Sequence, residues 1–425
     1  MAKSSFSGRG YKVWYDVSSK YGPLARIGPN DLLTDDPEII RRLSATTSQY
    51  RRSSWYEPTR IDPYDHSMFS LRDNVAHDKL KGKTAAAYSG KENPALEAEV
   101  DYVLAELVDK IRTKYISTPG DLRPLDLAVM AQYFTLDSIT KIAFGESFGF
   151  LSREEDVYHY LHTIESIAPV AAMTGEIPLL CSIVASPSVL RLAGPKKTDK
   201  SGIGKLMAVA ADIVSKRFGP DVKDQRDMLG AFVRNGLTQR ECETEALFQV
   251  VAGSDTTATS VRATLLYTMT TPRVYTALQK EIDAAKISTP ITSDEGLRLP
   301  YLQAVIYEGI RIWPPFTGLP FKEVPPQGDT INGRFIPGGT RIAPSNWSLM
   351  RQKSVFGQDT DVFRPERWLE VTEEQRCEMR HAVELVFGYG RWACAGKPIA
   401  FLELNKIFVE KNMWVAVSDR RKSVG

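Results

Sequence analysis

Near the C-terminus a single cysteine closes a glycine-rich loop and opens a helical pattern. The loop reads Phe387-Gly388-Tyr389-Gly390-Arg391-Trp392-Ala393-Cys394-Ala395-Gly396, and Ile399, Leu402 and Leu404 follow at helical spacing. Glycines let a backbone approach a flat ligand closely, and a helix N-terminus points N–H groups at the sulfur. Both effects favour a thiolate, whereas an ordinary buried cysteine stays protonated and inert. Any fold for this chain must therefore hold Cys394 at a loop–helix junction. The bland alternative is a small core residue. A sharper rival is the dinucleotide fingerprint, because Gly388-x-Gly390-x-x-Ala393 fits it and follows the strand-like Glu384-Leu385-Val386-Phe387. A nicotinamide-dependent dehydrogenase would need a complete βαβ unit downstream, and the residues after Gly396 hold one helix and a short tail.

Elsewhere helical periodicity dominates. Leu96, Val100, Val103, Leu104, Leu107, Val108 and Ile111, after Asn93-Pro94, form one apolar stripe. Further helices are expected over Glu243 to about Met269 and over Leu302 to Ile312, the latter stopped by Pro314-Pro315. Asp36-Pro37 is a helix start, with Arg41 and Arg42 suiting its C-terminal end. Extended pieces are few. Ala25–Ile27 and Leu32–Thr34 flank the turn Gly28-Pro29-Asn30, and Thr330-Ile331 and Arg334–Ile336 lie among glycines and prolines. The pattern predicts a mainly α chain with a small β region. No repeat or low-complexity linker interrupts it, so residues 1–425 are expected to form one large domain.

A formal net charge of +2 provides no electrostatic case for nucleic acid. Cys181, Cys242, Cys377 and Cys394 are too dispersed for a disulfide framework. His159 and His162 lack a nearby cysteine for a zinc cluster and are read as solvated. The most apolar stretch, Ile167 to Leu190, is broken by Glu176 and prolines, so no membrane span is expected, and the start lacks the apolar core of a signal peptide.

The cysteine loop resembles that of the cytochrome P450 family, Phe-x-x-Gly-x-Arg-x-Cys-x-Gly, with Phe387, Gly390, Cys394 and Gly396 at the matching positions. Trp392 stands where the family has arginine, and Arg391 lies one residue earlier. The resemblance extends to Glu308-Gly309-Ile310-Arg311, whose i, i+3 charges share a helix face, with Arg367 from Phe363-Arg364-Pro365-Glu366-Arg367-Trp368 as the implied third member of a structural support. It extends also to Ala252-Gly253-Ser254-Asp255-Thr256-Thr257, the implied oxygen-binding groove. There Thr256 would hydrogen-bond dioxygen, Asp255 would relay protons, and Gly253 permits close approach to a ligand, with local helix distortion expected. Taken without the cysteine loop, each of these reads as an ordinary helix surface.

By position in the family, His77, Lys81 and Lys322 are implied contacts to the haem propionates, with Phe387, Gly390, Arg391 and Gly396 in the haem loop and Cys394 on the iron. Substrate contacts are expected from Val251, Ala252, Phe316 and Leu319. Tyr301–Val305, Ile331-Asn332-Gly333 and Phe363–Leu369 give the chain the texture of filamentous-fungal members similar to pisatin demethylase. The N-terminal membrane anchor of such proteins is not seen, and the segment after about residue 410 reads as shortened.

The resemblance implies a P450 fold and a haem-thiolate monooxygenase acting on an apolar secondary metabolite by hydroxylation or O-demethylation. It implies haem b, O2, electrons from NADPH through NADPH–cytochrome P450 reductase, and the cytosolic face of the endoplasmic reticulum. A haem-thiolate isomerase would use the same Cys394 without oxygen activation. An inactive truncated remnant is the third rival, beside the dehydrogenase.

Overall fold

In the computed structural model, residues 7–118, 120–219 and 223–408 are described. The expected shortening after residue 410 lies outside them. Among the described residues, seven short strands form two sheets: β1 (Leu24–Gly28), β2 (Asp31–Thr34), β3 (Arg51–Arg52), β4 (Lys322–Glu323), β5 (Asp329–Ile331), β6 (Arg334–Ile336) and β7 (Arg341–Pro344). Five of them make one sheet in the order β1-β2-β7-β4-β3, while β5 and β6 form a separate hairpin. The β1–β2 hairpin falls where the turn residues place it. In the antiparallel β3–β4 pair, Arg52 lies directly opposite Lys322.

The helices used below are α1 (Pro37–Ser44), α2 (Asn74–Tyr88), α3 (Leu96–Lys110), α4 (Leu127–Phe144), α5 (Tyr160–Glu176), α6 (Gln239–Thr270), α7 (Pro300–Ile312), α8 (Glu373–Glu384) and α9 (Lys397–Ile407). The Asp36 carboxylate caps α1 by accepting from the N–H groups of Glu38 and Ile39. The stripe Val100, Val103, Leu104, Leu107 and Val108 of α3 is buried. The long helix starts at Gln239, before the expected Glu243, because Thr238 and Glu241 form a reciprocal capping box.

Two glycines set how closely the central helices approach. A Cβ on Gly253 of α6 would stand 2.8 Å from Ile139 Cγ1 of α4, and one on Gly309 of α7 would stand 1.9 Å from Thr264 Oγ1 of α6. Gly253 therefore sets the spacing of α4 and α6, and it also lines the cavity described below.

Two expectations are corrected. Glu384–Phe387 is not a strand: α8 runs through Glu384 and Leu385–Phe387 forms a 3-10 turn. A short apolar run does not distinguish a strand from a buried helix end, and here the helix continues. With the strand goes the structural context of the dinucleotide fingerprint. The Ala252–Thr257 segment, expected to be distorted, lies in unbroken helix. Its hydroxyls bond back to carbonyls while the helical ladder is kept: Ser254 Oγ to Val250 O at 2.7 Å and Thr256 Oγ1 to Ala252 O at 2.9 Å.

Candidate functional site

The cysteine loop is folded by its own backbone. Gly388 and Gly390 adopt positive φ, +74° and +54°, and a Cβ on Gly390 would come within 2.4 Å of Ser44 O at the end of α1. Cys394 N–H donates to Phe387 O at 2.6 Å, closing the loop. The backbone N–H groups of Gly396 and Lys397, at the start of α9, then donate to the Cys394 sulfur. Burial pushes the thiol up, while those two donors and the charges of Lys81 and Lys397 pull it down. Cys394 is set deep among protein atoms, and its accessible surface faces a cavity that it lines.

That cavity has a volume of about 1030 Å³, at the upper end of the range for ligand pockets, roughly 300–1,000 Å³. The α6 face from Phe248 to Ser260, part of α5, the segment Arg52–Ile61 and the stretch Pro315–Pro320 contribute its walls. Val251, Ala252, Asp255, Thr256 and Phe316 line it, as expected. Leu319 does not: it packs in a buried cluster with Trp14, Leu33 and Phe321. Burial pushes the Asp255 carboxyl up to about 6, against the pull of the Gln132 amide, which donates to its Oδ1 at 2.7 Å.

Glu308 of α7 forms the centre of a buried ionic node. Glu308, Arg311 and Arg367 are 0%, 0% and 2% exposed, so this is no solvated surface pair. Arg311 grips Glu308 with two bonds of 2.8 Å. Arg367 Nε and Trp368 Nε1 donate to it at 3.0 Å each, and the Arg364 N–H at 2.9 Å. Burial alone would raise the Glu308 carboxyl, but the two guanidiniums outweigh it and hold it below the usual glutamate range.

A profile of the cytochrome P450 family matches residues 6–410. The chain belongs to the cytochrome P450 family. The cytochrome P450 monooxygenase ABA1 of Pyricularia oryzae is 50% identical over 422 residues, covering 96% of this chain and 82% of that protein. The monooxygenase aba1 of Botryotinia fuckeliana is 47% identical over 416 residues, with the same shares. Abl1 of Leptosphaeria maculans is 43% identical over 418 residues, 97% of this chain and 74% of the relative. The P450 is accordingly an oxidoreductase of the monooxygenase type, and its family implies a thiolate-ligated haem.

The cavity fits such a group. Arg52 and Lys322, 5% exposed each, stand opposite one another across β3–β4 with no carboxylate paired to either among the described residues. Like charges directly opposed on a sheet are unfavourable, and both line the cavity of this P450. Each also stands 4.3 Å from the ring centroid of Trp392. Arg52 Nε and Trp392 Nε1 are buried and bond nothing. Burial holds Lys322 well below the ordinary lysine range, and the Arg52 charge adds to the effect. Two cations and two idle N–H donors around one cavity wall suit a flat dianion.

Other residues named from the sequence are placed differently. His77 lines the cavity as a neutral ring, pushed down to about 4 by burial and the Arg52 charge, and packs 4.4 Å from Trp392. Lys81 does not face the cavity. Its ammonium donates to Arg391 O at 2.7 Å and Ala393 O at 3.0 Å, so it clamps the cysteine loop. Arg391 turns away to Asp78 and to the carbonyls of Thr46 and Ser48. Phe387 and Gly396 line the cavity, while Gly390 supports the loop from behind. Among the described residues, no helix is long and apolar enough to cross a membrane.

Proposed function

We propose that the chain is a haem-thiolate monooxygenase that inserts one oxygen atom from O2 into an apolar secondary metabolite. The observation that carries this is the Cys394 sulfur at the cavity wall, with two backbone N–H groups aimed at it. The bound haem would supply the activation of dioxygen and the oxygen insertion. The residues supply what that chemistry needs. Cys394 would hold the iron through its sulfur; the Gly396 and Lys397 N–H groups and Lys81 favour its thiolate form. Arg52, Lys322 and the Trp392 indole would hold the propionates, with His77 packed behind them. Asp255, accepting from Gln132, and Thr256, one residue along α6, would pass protons into the cavity. A haem-thiolate isomerase would have no use for that pair.

The apolar residues Val251, Ala252 and Phe316 support an apolar substrate body. Electrons would come from NADPH through NADPH–cytochrome P450 reductase at the cytosolic face of the endoplasmic reticulum, a reading that rests on family membership. The test is the absorption spectrum of the reduced protein with carbon monoxide. The parent should show the red-shifted band of a thiolate-ligated haem, and Cys394→Ser should lose it. A variant that keeps the band would remove Cys394 as the ligand.

A further inference from the structure

Beside the same cavity five charges alternate in sign. Arg51 Nε lies 3.1 Å from Glu323 Oε2, which is 3.9 Å from Arg72 Nη2. Arg72 Nη1 lies 3.1 Å from Glu57 Oε1, and Glu57 Oε2 is 3.6 Å from Arg60 Nη2. Three guanidiniums thus face two carboxylates, and the row keeps one positive charge. His66, 3.9 Å from Glu57, does not alter that count, because burial holds its imidazole below the usual range. The nearby carboxylates of Asp62 and Asp65 share Arg240 at 2.6 Å each. The same guanidinium stands 3.1 Å from Glu243, which Lys197 also pairs at 2.6 Å, so this neighbouring cluster keeps one negative charge of its own.

The row ends at the cavity wall. Arg60 lines the cavity beside Glu57, and its side chain is only 11% exposed. Its Nε donates to Glu57 O at 3.1 Å, but its Nη groups make no hydrogen bond among the described residues, since 3.6 Å exceeds bonding distance. Glu57 is the more tightly held by Arg72. Most of the surrounding wall is apolar, from Ile61, Ile164, Val184, Leu190 and Phe316. If Arg52 and Lys322 are neutralised by haem, Arg60 is the cation left over for whatever else enters.

We infer that the substrate of this cavity is an apolar molecule carrying a carboxylate, and that the free edge of the Arg60 guanidinium binds that carboxylate. This rests on the monooxygenase reading of the same cavity and narrows it. Two parallel N–H donors on a planar fork match a carboxylate. An ester of the same acid keeps the apolar body and loses the charge.

The test titrates the ferric holoenzyme with dodecanoic acid and with methyl dodecanoate, following the haem absorption band and, independently, equilibrium dialysis. The acid should bind tighter than the ester by about ten-fold, the size of a charge-assisted hydrogen bond. Arg60→Leu should abolish that preference and leave ester binding unchanged, and Arg60→Lys should restore part of it. Equal binding of acid and ester by the parent would overturn the inference. So would an Arg60→Leu variant that weakens both ligands alike, since Arg60 would then only support the wall. The carbon monoxide band of the same preparation separates the two readings: a normal band without acid preference sinks the carboxylate alone.

Discussion

Replacing Arg311 by alanine tests whether the node around Glu308 holds the haem-binding half of the fold together. Arg311 donates twice to Glu308 and also to the carbonyls of Met350, Thr360 and Val362, at 3.0, 2.7 and 3.1 Å. The substitution leaves Glu308 with Arg367, Trp368 and the Arg364 N–H, and takes their donor from the Met350 and Thr360 carbonyls, while Val362 O keeps Arg367 Nη2 at 3.0 Å. Breaking a buried ion pair by removing one partner costs about 3 to 5 kcal/mol. A solvated surface pair would cost only about 0 to 1 kcal/mol. Against a typical total stability of about 5 to 15 kcal/mol, the first loss is severe and the second is invisible.

The assay compares soluble yield, haem per chain and urea midpoint for the parent, Arg311→Ala and Arg311→Lys. Lysine keeps the charge but not the paired bonds, so it should fall between the other two. The pH dependence has a fixed sign. Glu308 sits below its unfolded value of about 4.3, so its contribution is fully present above that pH and is lost as pH falls through the lower folded value. An Arg311→Ala protein with full haem and an unchanged midpoint would refute the argument outright.

Thr256→Ala should leave haem content intact and divert reducing equivalents to peroxide; unchanged coupling of NADPH use to product would take Thr256 out of the proton path. Asp255→Asn should uncouple as well, yet raise the urea midpoint. Burial lifts the folded carboxyl to about 6, so the charged form destabilises the fold as pH rises from the unfolded value toward 6 and above. The gain should be about 1 to 2 kcal/mol at pH 7.5, discounted for partial solvent access, and absent near pH 4; a variant no more stable at the higher pH would contradict this. Gly309→Ala should cost roughly 1 to 3 kcal/mol, because the new methyl would meet Thr264 Oγ1 at 1.9 Å. The double variant with Thr264→Ala should recover part of that loss, and failure to recover would place the strain elsewhere.

What could be read before any coordinates were those features whose meaning is local. The loop glycines, the cysteine and the start of α9 lie within a few residues of each other, and so does the Glu308–Arg311 spacing. Arg52 carries no local signal: it acquires a role only because the β3–β4 register sets it against Lys322, some 270 positions along the chain. Lys81 and Arg391 were drawn to the cavity by family position. Their side chains are instead satisfied by loop carbonyls and by Asp78, and cation counting in the sequence does not show which lysine is already occupied. Gly253 lines the cavity, and its missing side chain also lets α6 approach Ile139, a contact between two helices far apart in sequence that no local pattern shows. The strand-like Glu384–Phe387 failed for a different reason, since four apolar or mixed residues are compatible with either backbone. The early start of α6 is legible in the Thr238-x-x-Glu241 spacing of a capping box.

The opposed cations of β3 and β4 also bear on how the protein matures in a cell. A strand pair that must either bear that repulsion or leave the Lys322 amine uncharged until an anion arrives would tie the last stage of folding to delivery of the prosthetic group. Stability gained this way follows mass action, rising with the logarithm of free ligand above its dissociation constant. Cells short of haem should therefore accumulate chains whose β3–β4 pair opens readily, leaving the Arg52–Thr59 stretch accessible to proteases. Adding a haem precursor during expression should raise yield more for the parent than for an Arg52→Leu, Lys322→Leu variant, in which that electrostatic link between cofactor supply and folding has been cut.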